Sequence, residues 1–270
     1  MTHQQLIYLY CVTQREPNQE VKTGLGDNIY VISHDDLGAI VGNVNESEFN
    51  EQSFRRNLTN LEWVTANANR HERVVEQVMA DYCVIPFKFG TLFNTQDTLK
   101  AMLKEYKETL KTLLSKSRDK EEWGIKVYWD KNKLVGNLMS EDPEVLQIEK
   151  DIKSSSLGKA FFLKKKKEKL ITCALDKNIN ECCRQTFESL KEFSFDACIN
   201  KVLPKGAAER KEDMVLNSAF WVGKDNVRSF VDTVYSLKKQ YENNGFLMDC
   251  TGPWPPYNFC LLGKETTQNG

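Results

Sequence analysis

A chain of 270 residues is long enough to bury a substantial core and to divide into two domains. Its 37 basic and 38 acidic residues leave a formal net charge of −1, which excludes the uniformly basic surface of a general nucleic-acid binder. The opening Met1-Thr2-His3-Gln4-Gln5 lacks a basic n-region, and the apolar run after it is too short for a signal-peptide core or a membrane span, so a cytoplasmic protein is expected. Eight cysteines (Cys11, Cys83, Cys173, Cys182, Cys183, Cys198, Cys250 and Cys260) never form a C-x-x-C pair, and in that compartment they are expected to be reduced and mostly buried.

In chain order, short apolar runs at 6–12, 29–33 and 39–44 read as strands. A helix follows, because Leu61, Val64, Ala68, His71, Val75, Val78 and Tyr82 recur at steps of three and four and stack on one face. Residues 83–89 read as a mostly buried strand stopped by Gly90. Thr95 or Asp97 then caps a helix with Leu99, Met102, Leu103, Tyr106, Leu110 and Leu113 turned inward. The charged stretch 115–122 has no apolar residue and marks an exposed connection between domains.

Beyond it, Trp123, Ile125, Val127 and Trp129 alternate with Gly124, Lys126 and Tyr128 as in a strand with one face in a core. Asp142-Pro143-Glu144 opens a helix, with Asp142 as N-cap and proline in first position. Helical segments at 158–170 and 179–193 follow, the second with Ile179, Cys183, Thr186, Phe187 and Leu190 inward. Strands at 195–203 and 213–222 flank a loop of hairpin length at 204–210. A last helix at 225–241 buries Val227, Phe230, Val231, Val234, Leu237 and Tyr241, ends at Gly245, and gives way to a strand from Phe246. The expected fold is therefore α+β in two domains: an N-terminal mixed α+β domain at 1–118 and a domain at 119–263, with a polar tail at 264–270. Strand, helices, strand, strand, helix, strand is the split β-α-β order of a ferredoxin-like domain with extra helices in its first crossover.

Chemistry is sparse. No phosphate-cradling glycine motif and no nucleophile elbow occurs. Three scattered histidines and no paired-cysteine spacing argue against a zinc site. His71 adjoins Glu72 and Arg73 but lies in phase with Leu61, Val64 and Val75, where a structural hydrogen bond is expected rather than catalysis. Cys83 sits in an apolar run that would keep it a thiol. Lys164-Lys165-Lys166-Lys167 reads as a solvated helix surface. No catalytic, cofactor-binding or metal-ligating residue is assigned, and no small-molecule substrate is expected.

The most distinctive string is Thr251-Gly252-Pro253-Trp254-Pro255-Pro256-Tyr257-Asn258-Phe259. Three prolines exclude a helix interior or a central strand and impose an extended, stiff corner. Its aromatics either cap a core or anchor a partner.

A closing Gly-Pro-Trp-Pro-Pro-Tyr-x-Phe resembles the hallmark of the gas vesicle protein GvpF/GvpL family. Ile7-Tyr8-Leu9-Tyr10-Cys11-Val12 is similar to that family's opening strand, residues 66–75 with His71-Glu72-Arg73 to its histidine-bearing helix, and residues 84–93 to its proline, basic residue and Phe-Gly-Thr signature. Residues 122–128 and 158–163 match in the same order. The resemblance implies a non-enzymatic accessory or minor structural protein of gas vesicle assembly, located in the cytoplasm and the gas vesicle. It also implies an interaction with the hydrophobic shell subunit GvpA and with other accessory proteins. A scaffold for those other proteins, or an enzyme or ligand-binding protein on a ferredoxin-like fold, is the alternative. Candidate partner-binding residues are Pro86, Phe87, Phe89 and Phe93 in one turn and Trp254, Tyr257 and Phe259 in the C-terminal corner. No nucleic acid or membrane partner is expected.

Overall fold

A computed structural model describes residues 5–14, 28–204 and 210–262. It is a mixed α+β protein with two antiparallel sheets, divided into two compact units. The first unit reaches to Glu122 and resumes at Pro253; the second is Trp123–Gly252.

In the first unit, β1 (Gln5–Gln14) lies at the centre of a sheet ordered β2-β3-β1-β4. Its neighbours are β2 (Ile29–His34), β3 (Leu37–Asn45), β4 (Val84–Pro86) and the two-residue β5 (Leu92–Phe93), and every printed pairing is antiparallel. Every residue from Leu6 to Thr13 is buried, as an unbroken apolar run requires of a strand covered on both faces. Helices α1 (Glu46–Phe49), α2 (Glu51–Asn57) and α3 (Leu61–Asp81) follow β3. Asn45, Asn50 and Asn60 cap them in turn, each side-chain oxygen accepting from a backbone N–H in the first turn.

The expected inward face of α3 holds from His71 through Val74, Val75 and Val78, but Leu61 is 79% exposed because the first turn runs beyond the sheet-covered stretch. The expected strand at 83–89 shrinks to three residues, since the chain turns at once: Thr91 N–H donates to the Lys88 carbonyl. Thr95 caps α4 (Gln96–Glu105) in a capping box with Thr98. Tyr106 interrupts the expected single helix, and α5 (Lys107–Ser117) continues beyond it. Leu99, Leu103, Leu110 and Leu114 are buried.

The stretch 115–122, expected as an open connection, is a tight one. Helix α5 runs to Ser117, and β6 (Lys120–Trp129) begins after a turn at Asp119, whose φ is 59°. The sheet of the second unit is ordered β7 (Ser194–Ile199), β8 (Asp213–Gly223), β6, β9 (Phe246–Trp254). Between β6 and β7 lie α6 (Lys131–Glu141), α7 (Pro143–Lys153) and α8 (Leu157–Lys191). Asp142 caps α7, accepting from Glu144 and Val145 N–H, with Pro143 in first position. The two helical segments expected at 158–170 and 179–193 are one helix of 35 residues, because no proline or internal glycine after Gly158 breaks it.

A 3-10 turn (Lys224–Asn226) leads into α9 (Val227–Glu242), whose buried face is Phe230, Val234, Leu237 and Tyr241; Val231 points outward. Ile125, Val127, Leu175, Cys182, Leu190, Phe220, Phe230 and Phe246 make up much of this unit's core. Strand β9 lies at a sheet edge, where Pro253 withholds no ladder donor and Gly252 adopts φ 141°. Most of the loop expected at 204–210, and the tail at 264–270, lie outside the described residues. Residues 253–262, expected with the second domain, pack with the first unit.

Candidate partner-binding site

The site begins with a bulge in β1. Leu9 pairs with Val41 and Cys11 with Ile40, so Tyr10 is an extra residue against β3, the kind of irregularity that re-aims a side chain. The Tyr10 carbonyl instead accepts from Phe87 N–H at 2.9 Å, tying the Pro86–Phe93 turn to β1. Tyr8 and Tyr10 then lie with ring centroids 4.7 Å apart, both under α3.

His71 reaches them from α3. It is 3% exposed, and its Nδ1 lies 2.9 Å from the Tyr8 hydroxyl. That hydroxyl also accepts from Gly90 N–H at 3.0 Å, so it joins the imidazole to the turn. Nε2 has no hydrogen-bond partner among the described residues. Burial lowers the imidazole pKa to about 4 and outweighs the opposite pull of the Phe87 backbone. His71 is therefore neutral at pH 7, a structural link between strand, helix and turn.

Gly90 has φ 82°, and a Cβ built there would fall 2.4 Å from the Phe54 ring. Only glycine fits. Phe89 beside it meets Tyr8, Phe54, Trp63 and His71 at centroid distances of 5.9–6.3 Å. Next to this aromatic group opens a hollow of about 160 Å³, lined by Tyr8, Tyr10, Phe49, Phe89 and polar side chains that include Arg70.

All seven residues expected to bind a partner are buried or half-buried. Pro86 lies buried in β4 opposite Cys11, and Phe93 is half-buried in β5 opposite Ile7. Phe87, Phe89, Trp254, Tyr257 and Phe259 are half-buried. The fold brings Phe89 and Tyr257 to one imidazole, with ring centroids 6.1 and 6.3 Å from His71. The Tyr257 hydroxyl is buried without a hydrogen-bond partner among the described residues, and burial raises its pKa well above the phenol range.

The corner is held by a residue that the sequence hides. Glu122, in a stretch expected to be exposed, is 4% exposed and accepts from Asn258 N–H at 2.9 Å and Asn258 Nδ2 at 2.6 Å. Burial raises its carboxyl pKa to about 7 against the opposing effect of the two Asn258 hydrogen bonds. Ser117 Oγ and Cys260 Sγ, 2.9 Å apart, add a second tie. No pattern in the charged run 115–122 distinguishes Glu122 from its solvated neighbours; only the partner 136 positions away does. Tyr10 escapes sequence reading for a similar reason, since a bulge leaves no periodic trace, and Arg70 is an exposed residue of α3 that the helical pattern does not single out.

No disulfide joins the eight cysteines; Cys11, Cys182 and Cys260 are buried, and burial pushes the Cys182 thiol up to about 12. Among the described residues no group of three or more His, Cys, Asp or Glu side chains could hold a metal ion, and no helix is long and apolar enough to cross a membrane.

The model of one family, gas vesicle synthesis protein GvpL/GvpF, matches residues 6–261. The chain belongs to the GvpL/GvpF family. It is 22% identical to gas vesicle protein L of Streptomyces sp. (strain CB03234), over 98% of this chain and 96% of that one. It is 24% identical to gas vesicle protein L1 of Halobacterium salinarum (strain ATCC 700922 / JCM 11081 / NRC-1), over 95% and 91%. The crystal structure of GvpF from Anabaena sp. PCC7120 superposes with a TM-score of 0.70 at 21% identity, covering 95% of this chain and 98% of that chain. GvpF from Microcystis aeruginosa gives 0.65 at 18%, covering 95% and 99%. Within this GvpL/GvpF chain, the bulged strand, the His71 helix and the Gly90 turn are the segments that build the aromatic site.

Proposed function

We propose that this protein takes part in gas vesicle formation by binding the hydrophobic shell subunit GvpA during nucleation and limiting its aggregation. The observation that carries this reading is the family match over residues 6–261, which includes every element of the aromatic site. The physical case is that a subunit with an apolar face aggregates in water unless another surface covers it or assembly is fast. Aromatic-rich surfaces suit that task, since a few aromatic anchors dominate most interfaces. The Pro86–Phe93 turn and the corner from Trp254 to Phe259 are the proposed contact regions, with Phe89 and Tyr257 nearest the shared centre.

In this reading the protein is an accessory protein and not an enzyme, acting in the cytoplasm and at the vesicle. A neutral His71 and raised thiol pKa values favour packing over acid–base or nucleophilic chemistry. The second unit is read as ferredoxin-like, a description supported by its strand order β7-β8-β6-β9 with helices between β6 and β7 and between β8 and β9. Co-expression of affinity-tagged chain with GvpA tests the reading. GvpA co-purifies if the reading holds, and its consistent absence from the eluate, with soluble tagged chain present, defeats it.

A further inference from the structure

We infer that the hollow beside Tyr10 is a receptor for the carboxylate of an acidic side chain on the partner. This deepens the proposed function, and its identification of the partner rests on that reading. The first observation is Tyr10 itself: the residue is 2% exposed, its ring lines the hollow, and its hydroxyl makes no hydrogen bond among the described residues. The hydroxyl oxygen itself reaches solvent at the hollow, so it can donate to an acceptor that enters there. Gly42 leaves room for it, since an added Cβ would stand 3.2 Å from the Tyr10 ring and 3.3 Å from its hydroxyl.

The second observation is the direction of the surrounding polar groups. Arg70 lines the same hollow, and its guanidinium makes no ion pair or hydrogen bond among the described residues. Asn43 Oδ1 accepts from the Tyr30 hydroxyl at 2.9 Å, and Asn45 Oδ1 accepts from Ser47 N–H at 3.0 Å. Each amide oxygen thus already accepts one hydrogen bond, while neither NH₂ group makes one among the described residues. Arg70, two amide donors and one hydroxyl make a donor-rich lining, which suits a carboxylate with its acceptor-only oxygens. Asn67, whose Nδ2 is used on the Trp63 carbonyl at 2.9 Å, contributes an acceptor, and Glu48 stands exposed at the mouth.

A volume of about 160 Å³ admits one side chain and not a larger ligand such as a nucleotide. The aromatic walls exclude water from the methylene groups of an inserted Asp or Glu while Arg70 takes its charge. Glu48 opposes the incoming acid at the rim, so it tunes the encounter and does not contribute to the bound state.

The test uses the full chain and blocked amino acids as probes. N-acetyl-glutamate amide and N-acetyl-aspartate amide, titrated against labelled protein, should shift the Arg70 Nε–H and the Asn43 and Asn45 side-chain signals saturably. The glutamine and lysine analogues should not. Arg70→Gln should weaken that binding by about ten- to a hundredfold, the range for a charge-assisted hydrogen bond, and Tyr10→Phe by less, each with an unchanged Tm. Glu48→Gln should bind as tightly as the parent or more so. No saturable shift with either acid, or binding of the lysine analogue that Glu48→Gln abolishes, overturns the inference. GvpA capture by the same variants separates the two readings. If the parent captures nothing, the functional reading fails while the probe titration still judges the hollow; if the parent and Arg70→Gln capture equally, the hollow is not the receptor.

Discussion

Two buried titratable groups in the first unit have pKa values displaced in opposite senses from those of their free side chains, and their effects on stability oppose each other. Glu122 rises from 4.5 to about 7, so between those values only the folded state holds the proton and stability falls as pH rises. His71 drops from 6.5 to about 4, so between those values only the unfolded state binds the proton and stability rises with pH. Over pH 4.5–6.5 the two slopes offset each other in the parent protein. Replacing one exposes the other. In Glu122→Gln, urea midpoints should increase from pH 4.5 to 6.5, and in His71→Gln they should decrease over the same interval relative to that variant. Slopes of the same sign and size in both variants would contradict the burial of one group or the other. The helical phase of His71 announces its burial in the sequence. Glu122 gives no such sign, because its environment is made by Asn258 and by the return of the C-terminal corner, a contact between distant positions.

Elements were readable where one physical cause sets them. Caps are local: of the two candidates Thr95 and Asp97 the structure uses Thr95, and Asp142 with Pro143 starts α7 as expected. The inner faces of α4, α5 and α9 follow from apolar spacing, apart from Tyr106 and Val231. What spacing could not reveal was competition from tertiary partners: the turn after Pro86 exists because Gly90 must clear Phe54 and meet Tyr8, and the bulge at Tyr10 because that residue pairs across to Phe87. The break expected in α8 at 171–178 does not occur, because Ile171 and Leu175 carry that stretch onto the core and the helix runs through. Its lysine run is a solvated surface with one exception. Lys164, Lys165 and Lys166 are exposed, whereas Lys167 is half-buried and lies 3.3 Å from Glu149 on α7. Replacing the first three with glutamine should change the unfolding free energy by no more than about 0.5 kcal/mol. Adding Lys167→Gln should cost up to about 1 kcal/mol more. Chemical denaturation measures both, and a larger loss from the triple variant would show that those lysines pack within the fold.

At the scale of the whole chain, the motifs that carry the family resemblance lie far apart in sequence, yet those in the first unit converge on one imidazole: Tyr8 from β1, His71 from α3, Phe89 from the turn and Tyr257 from the corner. The proline-rich corner is consistent with both readings offered by its sequence, since Glu122 clamps it onto the first unit while its aromatics stay half-buried. The division of the chain follows from that clamp. A boundary drawn from composition alone assigns residues 253–262 to the second domain, because the contacts that recruit them to the first unit span more than a hundred positions. The central claim, a role in gas vesicle formation, is tested most directly in a host carrying a gas vesicle gene cluster from which this chain alone is removed. Electron microscopy of those cells should show vesicles absent or misshapen while GvpA is still made, with normal vesicles restored by the full chain; normal vesicles in its absence would contradict the account.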